Sequence, residues 1–143
     1  MKVPGQIQAV VEQYHNEWRH PRLEPLVCSD MYSLFPERTV ETPTLLNWPA
    51  QWPNDDRPGV YLIFGAQRQL LYVGKSQWLG RRLTSYFCWS GDRNSACRVV
   101  HSSWRTAPTF VATAAVAESF EAAALEEFLI ARVNPEENRL LLG

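Results

Sequence analysis

Apolar residues near the start of the chain recur with helical spacing. Successive members are separated by three, one, three and four positions, and they are Ile7, Val10, Val11, Tyr14 and Trp18. This spacing places them on one face of an amphipathic helix, which we expect over residues 5–19. Six prolines then interrupt the pattern between residues 20 and 53. Turns, with at most a short helix near residues 44–48, are expected there.

The next regular segment has the pattern of a β-hairpin. The run GVYLIF, residues 59–64, is continuously apolar and rich in β-branched and aromatic residues, and LLYV begins at Leu70. A short loop that starts with glycine, GAQRQ, separates the two runs. The pattern predicts two antiparallel strands, the second ending at Gly74.

A helix is expected directly after this hairpin. Ser76 is a suitable N-cap, and Leu79, Leu83 and Phe87 repeat every four residues along one face. On another face Arg82 and Tyr86 lie one turn apart. Residues 88–105 are predicted to begin as a loop and to contain a possible helix over 96–104.

The last part of the chain predicts a strand followed by a helix. The run TFVATAAVA, residues 109–117, has strand character, and residues 119–133 form a helix that Asn134-Pro135 should stop. The order of elements indicates an α+β fold with a small, mostly antiparallel three-stranded sheet flanked by helices. We expect a domain over residues 59–143, with a helical or irregular extension, residues 1–58, packed on it.

Composition and cysteine content restrict the class of protein. The chain has 143 residues, of which 45% are hydrophobic and 20% charged, as in ordinary globular domains. It has no apolar run of bilayer length and no signal-peptide pattern at its amino terminus, so a cytoplasmic location is expected. Its cysteines, Cys28, Cys88 and Cys97, are odd in number and form no CxxC pair, which argues against a disulfide framework.

Charge is distributed unevenly along the chain. The total is −1, but residues 57–105 carry eight Lys or Arg against one Asp or Glu, whereas the segments on either side are each at −4. Clustered cations attract polyanions even when the whole molecule is slightly acidic. The basic segment is therefore either a solvated face or a nucleic-acid contact.

Two glutamates stand out in the predicted last helix. Ala122, Ala123, Leu129 and Ile130 are the helical neighbours of Glu126, and Glu127 is in a similarly apolar part of the sequence. A carboxylate in such surroundings is unfavourable unless it meets a cation, a metal ion or water. One of the two glutamates could instead point to solvent, and periodicity does not choose between them.

Taken in order, these motifs resemble the GIY-YIG nuclease family. They are GVY at residues 59–61, YVGKSQWLGRRLTSYF at 72–87, and EAAALEEFLIARVNPEEN at 121–138. The likeness is greatest to the nuclease module of the bacterial excision-repair incision enzyme, and it covers residues 59–138. Each three-letter motif is weak by itself, but their order, spacing and polar residues agree. The resemblance implies a metal-dependent endonuclease that hydrolyses phosphodiester bonds in DNA.

The resemblance also implies roles for individual residues. Tyr61 and Tyr72 match the motif tyrosines, and one of them, more readily Tyr72, would activate the attacking water. A phenol has a pKa of about 10, so a base near neutral pH needs a cationic neighbour. Lys75 is expected to supply that charge.

Further positions complete the implied site. Arg82, immediately before Leu83, matches the catalytic arginine, and Tyr86 matches another site tyrosine. Glu126 matches the metal-binding glutamate, which implies a single Mg²⁺ or Mn²⁺ with water in its remaining positions. Asn138 matches a terminal asparagine with a supporting role at the substrate.

Some parts of the chain depart from the family pattern. The family has asparagine shortly after the metal-binding glutamate, whereas Glu127 and Phe128 stand here. The middle segment does not align, and its aromatic and basic residues are either nucleic-acid contacts or core and surface residues. They are Trp89, Arg93, Arg98, Trp104 and Arg105. Arg81 is assigned to the DNA backbone or to the surface.

Two rival functions remain open. The fold could bind nucleic acid without turnover. It could also serve as the scaffold of a protein-interaction module whose partner, or second copy in a homodimer, binds residues 1–58.

Overall fold

The structure of the chain is a computed structural model. It describes residues 1–35, 52–92, 95–101 and 103–138, without the side chains of residues 89–92 and 95–96. The short helix predicted near residues 44–48 lies outside these ranges. So do Arg93 and the side chain of Trp89.

The amino-terminal segment supplies a helix and a short strand. Helix α1 spans Gly5–Trp18 and buries Ile7, Val11 and Tyr14, which confirms the helix predicted from the apolar spacing. Strand β1, Tyr32–Ser33, pairs antiparallel with strand β6, Phe110–Ala115, from the carboxyl-terminal half of the chain. The amino-terminal segment therefore contributes to the central sheet as well as packing on it.

The central sheet has four strands rather than the three predicted. Its order is β1-β6-β2-β3, all antiparallel, with β2 over Gly59–Phe64 and β3 over Leu70–Ser76. Every residue of β2 is buried. A strand that lies between two others and is covered on both faces has a continuous apolar sequence, which is the pattern of the run GVYLIF. The fourth strand was missed because β1 is only two residues long.

The second strand and the helix after it differ in detail from the prediction. Gly74 pairs with Tyr61, and β3 continues to Ser76 instead of ending at the glycine. Helix α2 spans Leu79–Tyr86, and Trp78 occupies its N-cap position without a side-chain cap. The predicted N-cap, Ser76, instead accepts a hydrogen bond from the Trp78 N–H at 3.0 Å and donates one to the Trp78 carbonyl oxygen at 2.9 Å.

The helix predicted over residues 96–104 is wrong. Strands β4, Phe87–Asp92, and β5, Ser95–Val99, form an antiparallel pair there. Cys97 and Val99 are half-buried whereas Arg98 is exposed, which is the alternation of a strand. So short a stretch of apolar residues fits helical and strand periods equally well, and the pairing with β4 decides between them.

Helix α3 spans Glu121–Val133 and ends where the sequence predicted. Asn134 adopts a left-handed conformation, with φ of 54°, and its N–H donates to the Ile130 carbonyl oxygen at 2.8 Å. Asparagine tolerates this conformation, and the following proline prevents another helical turn. None of the helices in the described ranges is long and apolar enough to cross a membrane.

Both faces of the sheet are covered. On one face Leu62 and Val73 pack with residues of α1 and α3, including Val11 and Leu129. On the other face Ile63 packs in a second cluster, whose α2 and amino-terminal members are Leu79, Leu83, Leu34 and Trp52. The chain therefore has three layers. The sheet is the middle layer, and β3 is its edge strand at one end.

A buried polar network joins α1 to α3. The Arg19 Nε atom lies 2.6 Å from a Glu121 carboxylate oxygen, and the two side chains are only 5% and 16% exposed. The Tyr14 hydroxyl donates to the same carboxylate oxygen at 3.0 Å. Burial, reinforced by this hydrogen bond, raises the pKa of Tyr14 to about 12, so the phenol is protonated at neutral pH.

We expect Glu121→Ala to lower the free energy of unfolding by about 3 kcal/mol, because it leaves the buried Arg19 guanidinium without its counter-charge. Urea unfolding monitored by circular dichroism measures this change. Glu118→Ala removes an exposed carboxylate three residues earlier and serves as the matched control. Equal unfolding midpoints for the two variants would contradict a stabilising role for the network.

Candidate active site at the end of the sheet

The position of β3 at the end of the sheet allows side chains from both of its faces to meet. Tyr72 and Gly74 lie opposite Ile63 and Tyr61 of β2, so all four belong to the face covered by α2. Lys75 belongs to the other face, because side chains alternate along a strand. The sequence-predicted site residues gather around this end of the sheet.

Three tyrosines form a cluster on the α2 side. The Tyr61 hydroxyl donates to the Tyr86 hydroxyl at 3.2 Å, and the ring centres of Tyr61 lie 5.6 Å from Tyr86 and 6.0 Å from Tyr72. Tyr61 is only 1% exposed, whereas the other two are half-buried. Burial, followed by the hydrogen bond with Tyr86, raises the pKa of Tyr61 above its usual range.

Arg82 contacts this cluster from α2. Its Nε–H donates to the Tyr61 hydroxyl at 3.5 Å, at the limit of a hydrogen bond, and its guanidinium carbon lies 5.4 Å from the Tyr86 ring centre. The contact with Tyr61 raises the pKa of Arg82, which is charged in any case. Arg81 instead lies over the Trp78 ring at 4.6 Å. Of the two adjacent arginines, Arg82 is the one that meets the tyrosines.

Glu126 approaches the same end of the sheet from α3. It is half-buried, and desolvation raises the pKa of its carboxyl group. The Lys75 ammonium and a hydrogen bond from the Lys75 backbone N–H lower this pKa, whereas the charge of Glu127 raises it. Glu127 is exposed and lines a different groove with Trp18 and Phe128. Glu126, the position matched by the resemblance, is therefore the glutamate that lies beside Lys75 of β3, and Glu127 is not.

Lys75 has a different neighbour from the one expected. The sequence prediction made it lower the pKa of a motif tyrosine, but the pKa of Tyr72 is raised by burial, by Tyr86 and also by the charge of Glu126. Lys75 is three residues from Tyr72 and on the opposite face of β3, so its charge acts on Glu126 instead. In the described structure Lys75 lowers the pKa of Glu126 and is not among the groups that shift the pKa of Tyr72.

Asn138 holds the outer edge of β3. Its Oδ1 accepts from the Val73 N–H at 2.8 Å, and its Nδ2 donates to the Val73 carbonyl oxygen at 2.9 Å. Backbone groups of alternate residues point outward on an end strand, and these two would otherwise lack partners. Asn138 is 5% exposed, so we revise its assignment from substrate contact to positioning of β3.

Comparison with known proteins places this arrangement in a family. The sequence model of the UvrC-like GIY-YIG domain matches residues 57–139, which include every site residue described above. The chain belongs to the UvrC-like GIY-YIG family. Its α1 and β1 lie outside the matched residues.

Individual members of the family are similar over the same part of the chain. The UvrABC system protein C of Pseudomonas aeruginosa is 43% identical over 86 residues, and that of Desulfitobacterium hafniense 38% over 86 residues. The protein of the same name from Ectopseudomonas mendocina is 42% identical over 85 residues. These alignments cover 59–60% of this chain but only 13% of each relative. The chain thus spans a small part of the length of the relatives it matches.

The glycine of the second GIY-YIG motif is required by the packing of a tyrosine. A Cβ atom at position 74 would lie 2.1 Å from Tyr61 Cζ and 2.2 Å from its hydroxyl oxygen. Tyr61 is buried among the α2-side residues and has no room to move away. Gly74 therefore allows the Tyr61 ring to cross β3 and reach Tyr86 and Arg82.

We expect Gly74→Ala to lower the free energy of unfolding by about 1–3 kcal/mol, as overpacked substitutions do, and to reduce any cleavage activity. Gly5→Ala is the matched control, because a Cβ atom there meets nothing within 4 Å. Urea unfolding of both variants measures the effect. If Gly74→Ala is as stable as Gly5→Ala, the close approach of Tyr61 does not determine the choice of glycine.

The remaining predicted residues lie around the GIY-YIG site. Arg98 is exposed on β5, opposite Cys88, and Arg105 is exposed, with its backbone N–H donating to Glu137 at 2.9 Å. Trp104 packs edge-on against Tyr72, 6.0 Å between centres, and 6.3 Å from Tyr86. Its buried indole N–H has no hydrogen-bond partner among the described residues. Trp104 is thus part of the wall of the tyrosine cluster.

The side chains of the GIY-YIG site fit a magnesium ion better than a zinc ion. Among the described residues no three His, Cys, Asp or Glu side chains come together, as a zinc site would require. Mg²⁺ commonly keeps several water ligands and binds one or two carboxylates together with substrate phosphate. Glu126, half-buried with a raised pKa, is suited to hold such an ion, since a cation would offset the desolvation of its charge.

Proposed function

We propose that this chain is a metal-dependent endonuclease that hydrolyses phosphodiester bonds in DNA. The observation that carries the proposal is the meeting, at the end of β3, of a tyrosine cluster, the Arg82 guanidinium and the Glu126 carboxylate. Phosphodiester hydrolysis needs a group that accepts a proton from water and cations that stabilise charge on phosphoryl oxygens. Membership of the UvrC-like GIY-YIG family supports a nuclease role.

Arg82 is the proposed stabiliser of the transition state. It is exposed, and it lies against the tyrosine cluster, with its Nε atom 3.5 Å from the Tyr61 hydroxyl and its guanidinium carbon 5.4 Å from the Tyr86 ring centre. A guanidinium presents several N–H groups in one plane, which suits two phosphoryl oxygens at once. Tyr61 and Tyr86 would orient Arg82, and the half-buried Tyr86 hydroxyl would also contact the phosphate.

Tyr72 is the proposed acceptor of the proton from water. Its pKa is raised by burial in the chain as described, so the phenol is protonated before substrate binds. A divalent ion held by Glu126 would supply the positive charge that lowers this pKa and stabilises the leaving oxygen. Lys75 would hold Glu126 in its ionised form.

The proposed substrate is double-stranded or branched DNA. Residues 57–105 carry a net charge of +7, and Arg81, Arg98 and Arg105 are exposed within them. Such residues would bind phosphates without reading sequence. Repair, defence and mobile-element roles are equally compatible with this chemistry.

Incubation of the purified chain with supercoiled plasmid tests the proposal. We expect nicked and then linear DNA with Mg²⁺ or Mn²⁺, and no cleavage when EDTA replaces the metal. Restoration of activity by adding Mg²⁺ back is the control for damage by the chelator. Cleavage that persists in EDTA would contradict metal dependence, and no cleavage with any divalent ion would contradict the nuclease assignment.

A nucleic-acid-binding module without turnover is the second candidate. The raised pKa values of Tyr61 and Tyr72 favour it, because neither phenol is a ready base in the chain as described. This candidate predicts that the chain slows the migration of labelled DNA in a gel and that the DNA stays uncleaved with every divalent metal ion. The plasmid assay and the gel assay together separate the two candidates.

We also propose that the protein is cytoplasmic.

A further proposal is that the amino-terminal segment binds a protein partner or a second copy of the chain. Trp18 is 71% exposed beside a groove lined by Phe128, Ala131 and Arg132. Deleting the segment is a poor test, because Ile7 and Val11 belong to the core. Sedimentation of wild type and Trp18→Ser provides a better one, with a smaller assembly expected for the variant.

A further inference from the structure

An exposed tryptophan stands at the start of α2. Trp78 is 51% exposed, although its neighbours along the helix, Leu79 and Leu83, are completely buried. Trp78 belongs to neither of the two hydrophobic clusters of the core. Trp78 was not singled out by the sequence motifs, and none of the roles proposed above uses it.

The backbone beneath this tryptophan is held by several hydrogen bonds. The Ser76 hydroxyl contacts both the N–H and the carbonyl oxygen of Trp78, at 3.0 and 2.9 Å. Two more hydrogen bonds fix the first turn of α2. The Leu79 N–H donates to the Arg57 carbonyl oxygen at 3.0 Å, and the Gly80 N–H donates to the Asp55 carbonyl oxygen at 2.8 Å. The ring is therefore carried on an ordered turn, at a small entropic cost for binding.

A guanidinium group lies against the Trp78 ring. The Arg81 guanidinium lies over the ring, 4.6 Å from its centre, and half of the residue surface still remains exposed. Arg82 follows one turn later on α2, with its backbone N–H donating to the Trp78 carbonyl oxygen at 3.1 Å, and the Asp55 carboxylate lies beside Gly80 in the same turn. An aromatic surface with an arginine beside it is a combination that stacks a base while the cation binds the adjoining phosphate.

From these observations we propose that Trp78 is a stacking surface for an unpaired base next to the bond that the enzyme cuts. The inference rests on the proposed function and adds a substrate preference to it. Trp78 is four residues from Arg82 on α2, so a base on its ring would be about one helical turn from the proposed phosphate position. Fully paired DNA offers no free base face, so the preference is for duplexes with a bulge, flap or branch.

Fluorescence anisotropy without metal tests the proposal independently of cleavage. Three labelled duplexes are compared: fully paired, with one extra adenine, and with an abasic sugar in place of that adenine. We expect the wild type to bind the extra-adenine duplex about tenfold more tightly than the other two, as one stacked base would provide. The abasic duplex has the same flexibility without a base, so it separates stacking from bending.

Variants assign the preference to the ring. Trp78→Ala should bind all three duplexes equally, and Trp78→Phe should retain most of the preference. Arg81→Ala should weaken binding to all three by a similar factor and make it less sensitive to salt. Circular dichroism checks that each variant is folded.

The proposal is overturned if the wild type does not distinguish the extra adenine from the abasic sugar, or if Trp78→Ala keeps the distinction. A chain that shows the preference but never cuts plasmid would refute the nuclease assignment and support the stacking surface. A chain that cuts without the preference would refute the stacking surface alone. Absence of binding to all three duplexes would count against both.

Discussion

Replacing Glu126 by glutamine is expected to lower the rate of DNA cleavage by about a thousandfold, the size of effect seen when a charge-stabilising group is removed from an active site. Glutamine keeps the shape and the acceptor oxygen that faces the Lys75 N–H, but it loses the negative charge that would hold the metal. The measurement is single-turnover nicking of plasmid in Mg²⁺. The loss should be smaller at high metal concentration if weakened metal binding causes it.

The adjacent residue supplies the control for Glu126. Glu127→Gln removes an equally charged side chain that is exposed and turned towards Trp18, and we expect cleavage within about twofold of the wild type. Urea unfolding then shows whether a loss of cleavage comes from the site or from a less stable fold. Because burial raises the pKa of Glu126, its charge destabilises the folded chain at neutral pH, and Glu126→Gln should unfold at equal or higher urea without metal. Equal cleavage by the two variants would remove Glu126 from the site.

Replacing Arg82 by alanine is expected to have an effect of similar size, about a thousandfold on the rate of cleavage. The residue is exposed, so the free energy of unfolding should change by less than about 0.5 kcal/mol. Arg82→Lys should restore little, because an ammonium group does not reproduce the planar donors of guanidinium. Quenched-flow cleavage of a labelled duplex measures the chemical step.

Arg81→Ala is the matched control for Arg82, with the same charge change at the next position of the same helix. Its guanidinium lies over Trp78 and not at the Tyr61 hydroxyl, so we expect weaker DNA binding with a nearly unchanged rate for bound substrate. If Arg81→Ala lowers the single-turnover rate at saturating protein as much as Arg82→Ala does, the assignment of the two arginines is wrong.

The local elements were predictable where one residue pattern dominated. The β2 run GVYLIF is buried on both faces, and α3 stops at Asn134-Pro135 through a left-handed residue and a proline, so both could be predicted. Strand β5 was not predicted. Its half-buried positions, Cys97 and Val99, are too few to show whether apolar residues repeat every two residues, as in a strand, or with the period of a helix. Strand β1 was missed because its two residues acquire their conformation only from pairing with β6.

The candidate site was predictable from motifs to the level of residue types, but not of neighbours. Tyr61, Tyr86 and Arg82 come together in the described structure as the resemblance implied they would. Lys75 was expected to lower the pKa of a tyrosine, whereas the alternation of the strand places it on the opposite face of β3 from Tyr72, where its charge lowers the pKa of Glu126. Asn138 was assigned to substrate, whereas in the structure its side-chain amide makes two hydrogen bonds with the backbone of Val73.

The sequence by itself determined the family, the hairpin, the two helices with strong apolar periodicity and the concentration of positive charge in residues 57–105. These properties depend on residues close in sequence or on the order of motifs. Only the tertiary structure decided that Lys75 acts on Glu126, that Gly74 makes room for the Tyr61 ring, and that Trp78 remains at the surface. The physical reason is that the surroundings of a side chain are set by the packing of α2 and α3 against the end of the sheet, and those contacts join residues far apart in sequence.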